Sequence, residues 1–118
     1  MGRMKVNSYS FGRIVVDGRE YTNDVIISWN DIVNSRWWRK EGHNVCLEDV
    51  KEIFELKPEI VVFGTGYNGL MRVEKEVVEA LKKKGVEVIE EKTEDAVARF
   101  NALVRNGRRA VLAAHLTC

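Results

Sequence analysis

Two clusters of residues have types and spacing that could do chemistry. Gly64-Thr65-Gly66-Tyr67-Asn68-Gly69 follows the apolar run Ile60 to Phe63 and precedes a helical pattern starting near Val73. A strand, a glycine-spaced loop and a helix in succession can turn backbone N–H groups toward an anion. Arg72, just beyond the loop, would suit such a pocket. The second cluster is Arg36-Trp37-Trp38-Arg39-Lys40-Glu41-Gly42-His43, in which aromatic and basic side chains interleave. In that cluster Arg39 or Lys40 could neutralise the same anion. Trp37 and Trp38 could instead form a partner surface, since Trp beside Arg is enriched at interaction hot spots.

The loop spacing G-x-G-x-x-G is also the dinucleotide fingerprint. A dinucleotide site needs its helix to begin inside the motif, so that pyrophosphate rests on the first turn. Here Leu70-Met71-Arg72 separate Gly69 from the first helical residue. Glu90 and Glu91 do end the next strand where a ribose ligand is expected, but the second mononucleotide half is missing. No cofactor is therefore implied. A tight turn requiring glycine at positive φ is the alternative to an anion pocket.

His43-Asn44-Val45-Cys46 and His115-Leu116-Thr117-Cys118 repeat the spacing H-x-x-C and offer four zinc-type ligands. The first pair leads into a helix and the second ends a strand, and neither forms a knuckle turn, so no metal is assigned. Cys46 at a helix N-terminus would have a lowered thiol pKa. His115 lies toward the C-terminal end of the last strand. If that strand is parallel to Ile60 to Phe63, His115 shares a rim with the glycine loop, and ligands of open α/β sheets bind at that rim. His115 could then act as acid or base, and His43 is a further candidate ligand-binding residue. No nucleophile–base–orienter set is complete, and the chain leans away from being an enzyme.

The elements that position these residues follow from hydrophobic periodicity. Before residue 45, β-branched and aromatic residues alternate with polar ones. Phe11, Ile14 and Val16 lead to the turn signal Asp17-Gly18, then Tyr21 through Ile27, with Asp31 to Trp38 as a third strand. This half is an antiparallel meander. After residue 45 the pattern is helical over Leu47 to Leu56 and Val73 to Lys84, and over the helix capped by Thr93 that buries Val97, Phe100 and Val104. Those helices alternate with strands Ile60 to Phe63, Val86 to Ile89 and Ala110 to Leu116. The class is α/β: a central mixed sheet with a parallel β-α-β-α-β second half and an N-terminal antiparallel meander, in a single domain.

Composition bounds the function. The 118 residues are 45% hydrophobic and 31% charged, with net charge +1, as expected of a folded globular chain without a field that attracts nucleic acid. No apolar stretch approaches the roughly 20 residues of a membrane span. Met1 to Phe11 lacks the apolar core of a signal peptide, so a cytoplasmic protein is expected. Cys46 and Cys118 could form one bridge if the fold brings them together.

Ser10-Phe11-Gly12-Arg13-Ile14, Trp38-Arg39-Lys40-Glu41-Gly42-His43, Gly64-Thr65-Gly66 and the closing His115-Leu116-Thr117-Cys118 resemble a known family. It is the small domain shared by mitochondrial complex I assembly factor 3 and the adipogenesis-associated cytoplasmic protein. The ending His-x-Thr-Cys is similar to the cytoplasmic branch, while Tyr67-Asn68-Gly69 and the C-terminus differ from the complex I branch. The resemblance implies one α/β domain with a central mixed sheet and brings no agreed catalytic residues. Two readings stand: a non-catalytic module binding a partner protein, or a site for a small anion or metabolite.

Overall fold

Ile60–Thr65 and Ala110–His115 are buried along their whole length, and they lie side by side at the centre of the sheet. Such continuous apolar runs belong to parallel strands covered on both faces. The computed structural model describes residues 3–118. In chain order it contains β1 (Val6–Ser10), β2 (Arg13–Val16), β3 (Arg19–Tyr21), β4 (Val25–Ile27), β5 (Ile32–Asn34) and β6 (Asn44–Val45). A 3-10 turn, Leu47–Val50, runs into α1 (Lys51–Leu56). Then follow β7 (Ile60–Thr65), β8 (Arg72–Val73), α2 (Lys75–Lys83), β9 (Glu87–Glu91), α3 (Thr93–Arg105) and β10 (Ala110–His115).

The central sheet has the order β5-β4-β10-β7-β9. β10 is parallel to β7, β7 is parallel to β9, and β4 joins β10 antiparallel. Helix α3, with Val97, Phe100 and Val104, packs on one face together with Val6, Ile14 and Val16 of the meander. Helices α1 and α2 cover the other face through Ile53, Val77 and Leu81, which pack with Val61 and Phe63. The two crossovers run in opposite directions across the sheet on opposite faces, so they share one hand. The class expected from the sequence is the class observed.

The antiparallel half differs in detail. Only β1, β2 and β3 form a separate meander; β4 and β5 extend the central sheet. All three residues of β4 are buried, and a strand buried on both faces cannot end an exposed hairpin. Tyr21 and Val25 therefore belong to different sheets. The third strand read from Asp31 to Trp38 shrinks to β5, after which the Trp37 amide donates to Asp24 O at 2.7 Å. Helix α2 starts at Lys75 rather than Val73, because Arg72–Val73 pairs with Asn44–Val45 as two short parallel strands. Its last turn carries Lys82 and Lys83, as the helix dipole favours.

Candidate functional site

The register of the two central strands sets Thr65 opposite His115. The glycine loop and the segment after β10 therefore leave the sheet at the same edge, as the sequence reading requires. They are bonded to each other at close range. Tyr67 N–H donates to Thr117 O at 2.7 Å and Leu70 N–H to Cys118 O at 3.0 Å. Gly66 N–H donates to the Thr93 hydroxyl at 2.8 Å, and that hydroxyl donates to His115 O at 2.6 Å. Gly69 N–H and Met71 N–H turn back onto Gly66 O and Thr65 O. Among the described residues, Asn68 N–H is the one amide from Gly66 to Met71 without a protein acceptor. The loop's amides hold the C-terminal segment in place and leave little for an anion.

Gly66 explains why the loop needs glycine. Its φ is +107°, and a Cβ there would sit 2.5 Å from the Cys118 carbonyl carbon and 2.8 Å from His115 Cδ2. Close backbone approach of the last residues sets the spacing, rather than a pyrophosphate.

Beneath the rim lies a buried polar network that the sequence only half revealed. Asp24, between β3 and β4, accepts from His115 Nδ1 at 2.8 Å and Arg39 Nη2 at 2.7 Å on one oxygen, and from Leu116 N–H at 2.8 Å on the other. Arg39 also donates from Nη2 and Nε to Gly42 O at 2.7 and 3.1 Å. Its guanidinium carbon lies 4.5 Å from the centre of the Trp37 ring, a cation–π stack. Arg39 and His115 are each 6% exposed. Burial pushes the Asp24 carboxyl up, but the His115, Leu116 and Arg39 bonds outweigh it and hold it below its ordinary value. Two atoms of this network, Arg39 Nη1 and His115 Nε2, are buried without a partner among the described residues. His43 is exposed, and its ring meets that of His115 edge-on with centroids 5.3 Å apart.

The structure thus brings Arg39, His43 and His115 together and adds Asp24, which no spacing singled out. Other candidates lie apart from that network. Lys40 is exposed and pairs with Glu48. Arg72 is exposed, and only its amide reaches His43 O, at 2.8 Å. Trp37 is not a surface for partners: it is 4% exposed, its indole N–H donates to Asp49 O at 2.8 Å, and it packs in the core. Residue alternation turns Trp38 outward instead, at 76% exposed. Cys46 carries no lowered thiol pKa. Burial and the hydrogen bond to Asp49 push it up, because the Asp49 carboxylate, not bare amides, faces the sulfur at 3.3 Å. Both cysteines are free, and among the described residues no group of three or more His, Cys, Asp or Glu is placed to hold a metal.

The rim is also apolar. Phe11, Tyr67 and Leu70 are 54%, 53% and 52% exposed, and the Phe11 and Tyr67 rings meet edge-on at 5.9 Å. Gly12 N–H donates to Leu116 O at 2.9 Å, so the β1–β2 turn leans on the same C-terminal segment. A cavity of about 570 Å3 opens at the other end of the sheet, where the parallel strands begin, between Phe54, Leu81 and Arg108.

A family model described as a protein of unknown function (DUF498/DUF598) matches residues 6–115. The chain belongs to this family. The chain is also similar to the human NADH dehydrogenase [ubiquinone] 1 alpha subcomplex assembly factor 3, 29% identical over 108 residues, 89% of this chain. The chain spans 56% of that relative's length, so the resemblance read from the sequence is to a domain of the larger protein. Solved structures with the same fold include an outer membrane protein from Bartonella henselae, with TM-score 0.83, 22% identity and coverage of 99% of this chain and 98% of that one. A hypothetical protein from Pyrococcus horikoshii OT3 follows at TM-score 0.81 and 22% identity, covering 97% and 99%. Among the described residues no helix is long and apolar enough to cross a membrane.

Proposed function

We propose that this chain is a non-catalytic interaction or assembly module that docks a partner protein on the rim made by Phe11, Tyr67 and Leu70. The observation that carries this reading is the pairing of exposure with rigidity. Three large apolar side chains stand more than half exposed. Each belongs to a loop pinned to the C-terminal segment by a backbone hydrogen bond at Gly12, Tyr67 or Leu70. An apolar patch held in place loses little conformational freedom on binding, which is how a small surface gains affinity. The name of the human relative, an assembly factor, supports the same reading.

Cross-linking mass spectrometry in the source cell tests it. Cross-links to a partner should concentrate on the Phe11 turn and the Tyr67–Leu70 loop, and should vanish in a Tyr67→Ser/Leu70→Ser variant that melts like the parent. Cross-links that cluster on another face, or that survive this variant, would refute the rim as the docking surface.

A further inference from the structure

The Asp24–Arg39–His115 cluster is saturated on one side and unpartnered on the other. Both Asp24 oxygens are occupied, and Arg39 spends Nε and Nη2 on Asp24 and Gly42. Arg39 Nη1 and His115 Nε2 remain buried and unpartnered. Leaving such groups unmade is costly, and more so when they are charged. His115 Nδ1 faces a carboxylate oxygen at 2.8 Å and a guanidinium nitrogen at 3.1 Å. Only the carboxylate can accept, so Nδ1 carries the hydrogen and Nε2 is the basic nitrogen.

We infer that Arg39 Nη1 and His115 Nε2 together bind a small oxyanion of the carboxylate class, taken up with a proton on Nε2. Charge sets the rule. Arg39 and Asp24 cancel, so protonating His115 leaves one positive charge, and a single anion restores neutrality. The cluster then offers two charge-assisted donors, one from each side chain, which match the two oxygens of a carboxylate. A phosphate would bring more acceptors and charge than the remaining donors can meet. Exposed His43, edge-on to His115, is the side chain that turns aside to admit the ligand. The ionisable side chains that meet the His115 ring are Asp24, Arg39 and His43.

The test titrates sodium formate into the full chain at about pH 6 and pH 8, following imidazole and guanidinium 15N signals, with chloride at matched ionic strength. Formate should move the His115 and Arg39 signals saturably, and chloride should not. Affinity should tighten by up to about tenfold for each unit the pH falls while the imidazole is neutral, the linkage of one proton to one anion. His43→Ala should keep that pH dependence and exchange formate faster, separating His115 from its neighbour. Arg39→Gln should weaken binding tenfold or more; should it not fold, the titration of the parent chain decides alone. A response that does not saturate, that chloride reproduces, or that ignores pH overturns the assignment. So does a long-lived water at Nε2 that formate fails to displace.

Discussion

Replacing Asp24 by Asn removes the one negative charge that holds Arg39 and His115. The side-chain amide keeps the shape and one acceptor oxygen, so the Leu116 amide can stay bonded. The other oxygen becomes an NH2 group aimed at Arg39 Nη2 and His115 Nδ1, both donors. Arg39 is 6% exposed and cannot reach water, so its charge is left in the interior with only Gly42 O and the Trp37 ring. Breaking a buried pair by removing one partner costs about 3–5 kcal/mol. Because the Asp24 side chain is 17% exposed, the lower end applies, about 3 kcal/mol. For a chain of this size that is a fall in Tm of about 12 °C. Urea unfolding at about pH 7 measures it. A double variant, Asp24→Asn with Arg39→Met, should recover part of the loss, since Met keeps packing on Trp37 without the stranded charge. The pH dependence has a definite sign. The Asp24 carboxyl is held below its ordinary value when folded, so its contribution is complete above the unfolded value near pH 3.9 and fades as pH falls toward the folded one. The gap between parent and variant should therefore narrow only below about pH 4. An Asp24→Asn chain within about 1 kcal/mol of the parent, or a double variant no more stable than the single, would refute this account of the network.

Three further outcomes follow from the same contacts. Gly66→Ala forces a Cβ against the Cys118 backbone at 2.5 Å and strains a φ of +107°, and should cost about 2 kcal/mol or more in urea unfolding. Trp37→Phe loses the donor to Asp49 O and should cost about 1–3 kcal/mol, whereas Trp38→Ser, at an exposed position, should stay within about 0.5 kcal/mol. Burial pushes the Tyr9 phenol from 10.0 up to about 12; stability should be complete below pH 10.0 and fall toward pH 12, with an ultraviolet titration locating the phenol and Tyr9→Phe flattening the loss.

The parallel half was legible because its signals are local. Pro58, Gly85 and Asn106-Gly107 mark helix ends beside apolar runs, and the structure has strands and helices where those marks fall. The antiparallel half was harder, because its strands are short and the choice of sheet depends on distant partners. Nothing near Val25 says that it will pair with Ala114. β1 was missed for a related reason: only Val6 of its five residues is buried, so it has almost no alternation to read. At the site, Arg39 and His115 could be named from residue type and position. Asp24 could not, since the bond that gives it meaning spans 91 positions of sequence. Trp37 and Trp38 show the limit of type alone, because alternation assigns one to the core and one to solvent, and only the fold decides which.

The residues after β10 tie the two proposed activities together. Leu116 O accepts from Gly12 N–H and from the Tyr9 hydroxyl, while Leu116 N–H donates to Asp24. Thr117 O and Cys118 O hold Tyr67 and Leu70. The apolar rim is thus held by three consecutive residues, the first of which, Leu116, also bonds the buried cluster through Asp24. His115 precedes them directly, and its ring lies beside Gly66, where an added Cβ would come within 2.8 Å of Cδ2. The β1–β2 turn and the Tyr67–Leu70 loop are each bonded to that segment, and the glycine loop is also held by Gly66 N–H on the Thr93 hydroxyl and Met71 N–H on Thr65 O. Taken together, the two proposals predict a linkage: a partner seated on the rim and an anion in the cluster would both act on Leu116, and each would then change the affinity of the other by the same factor.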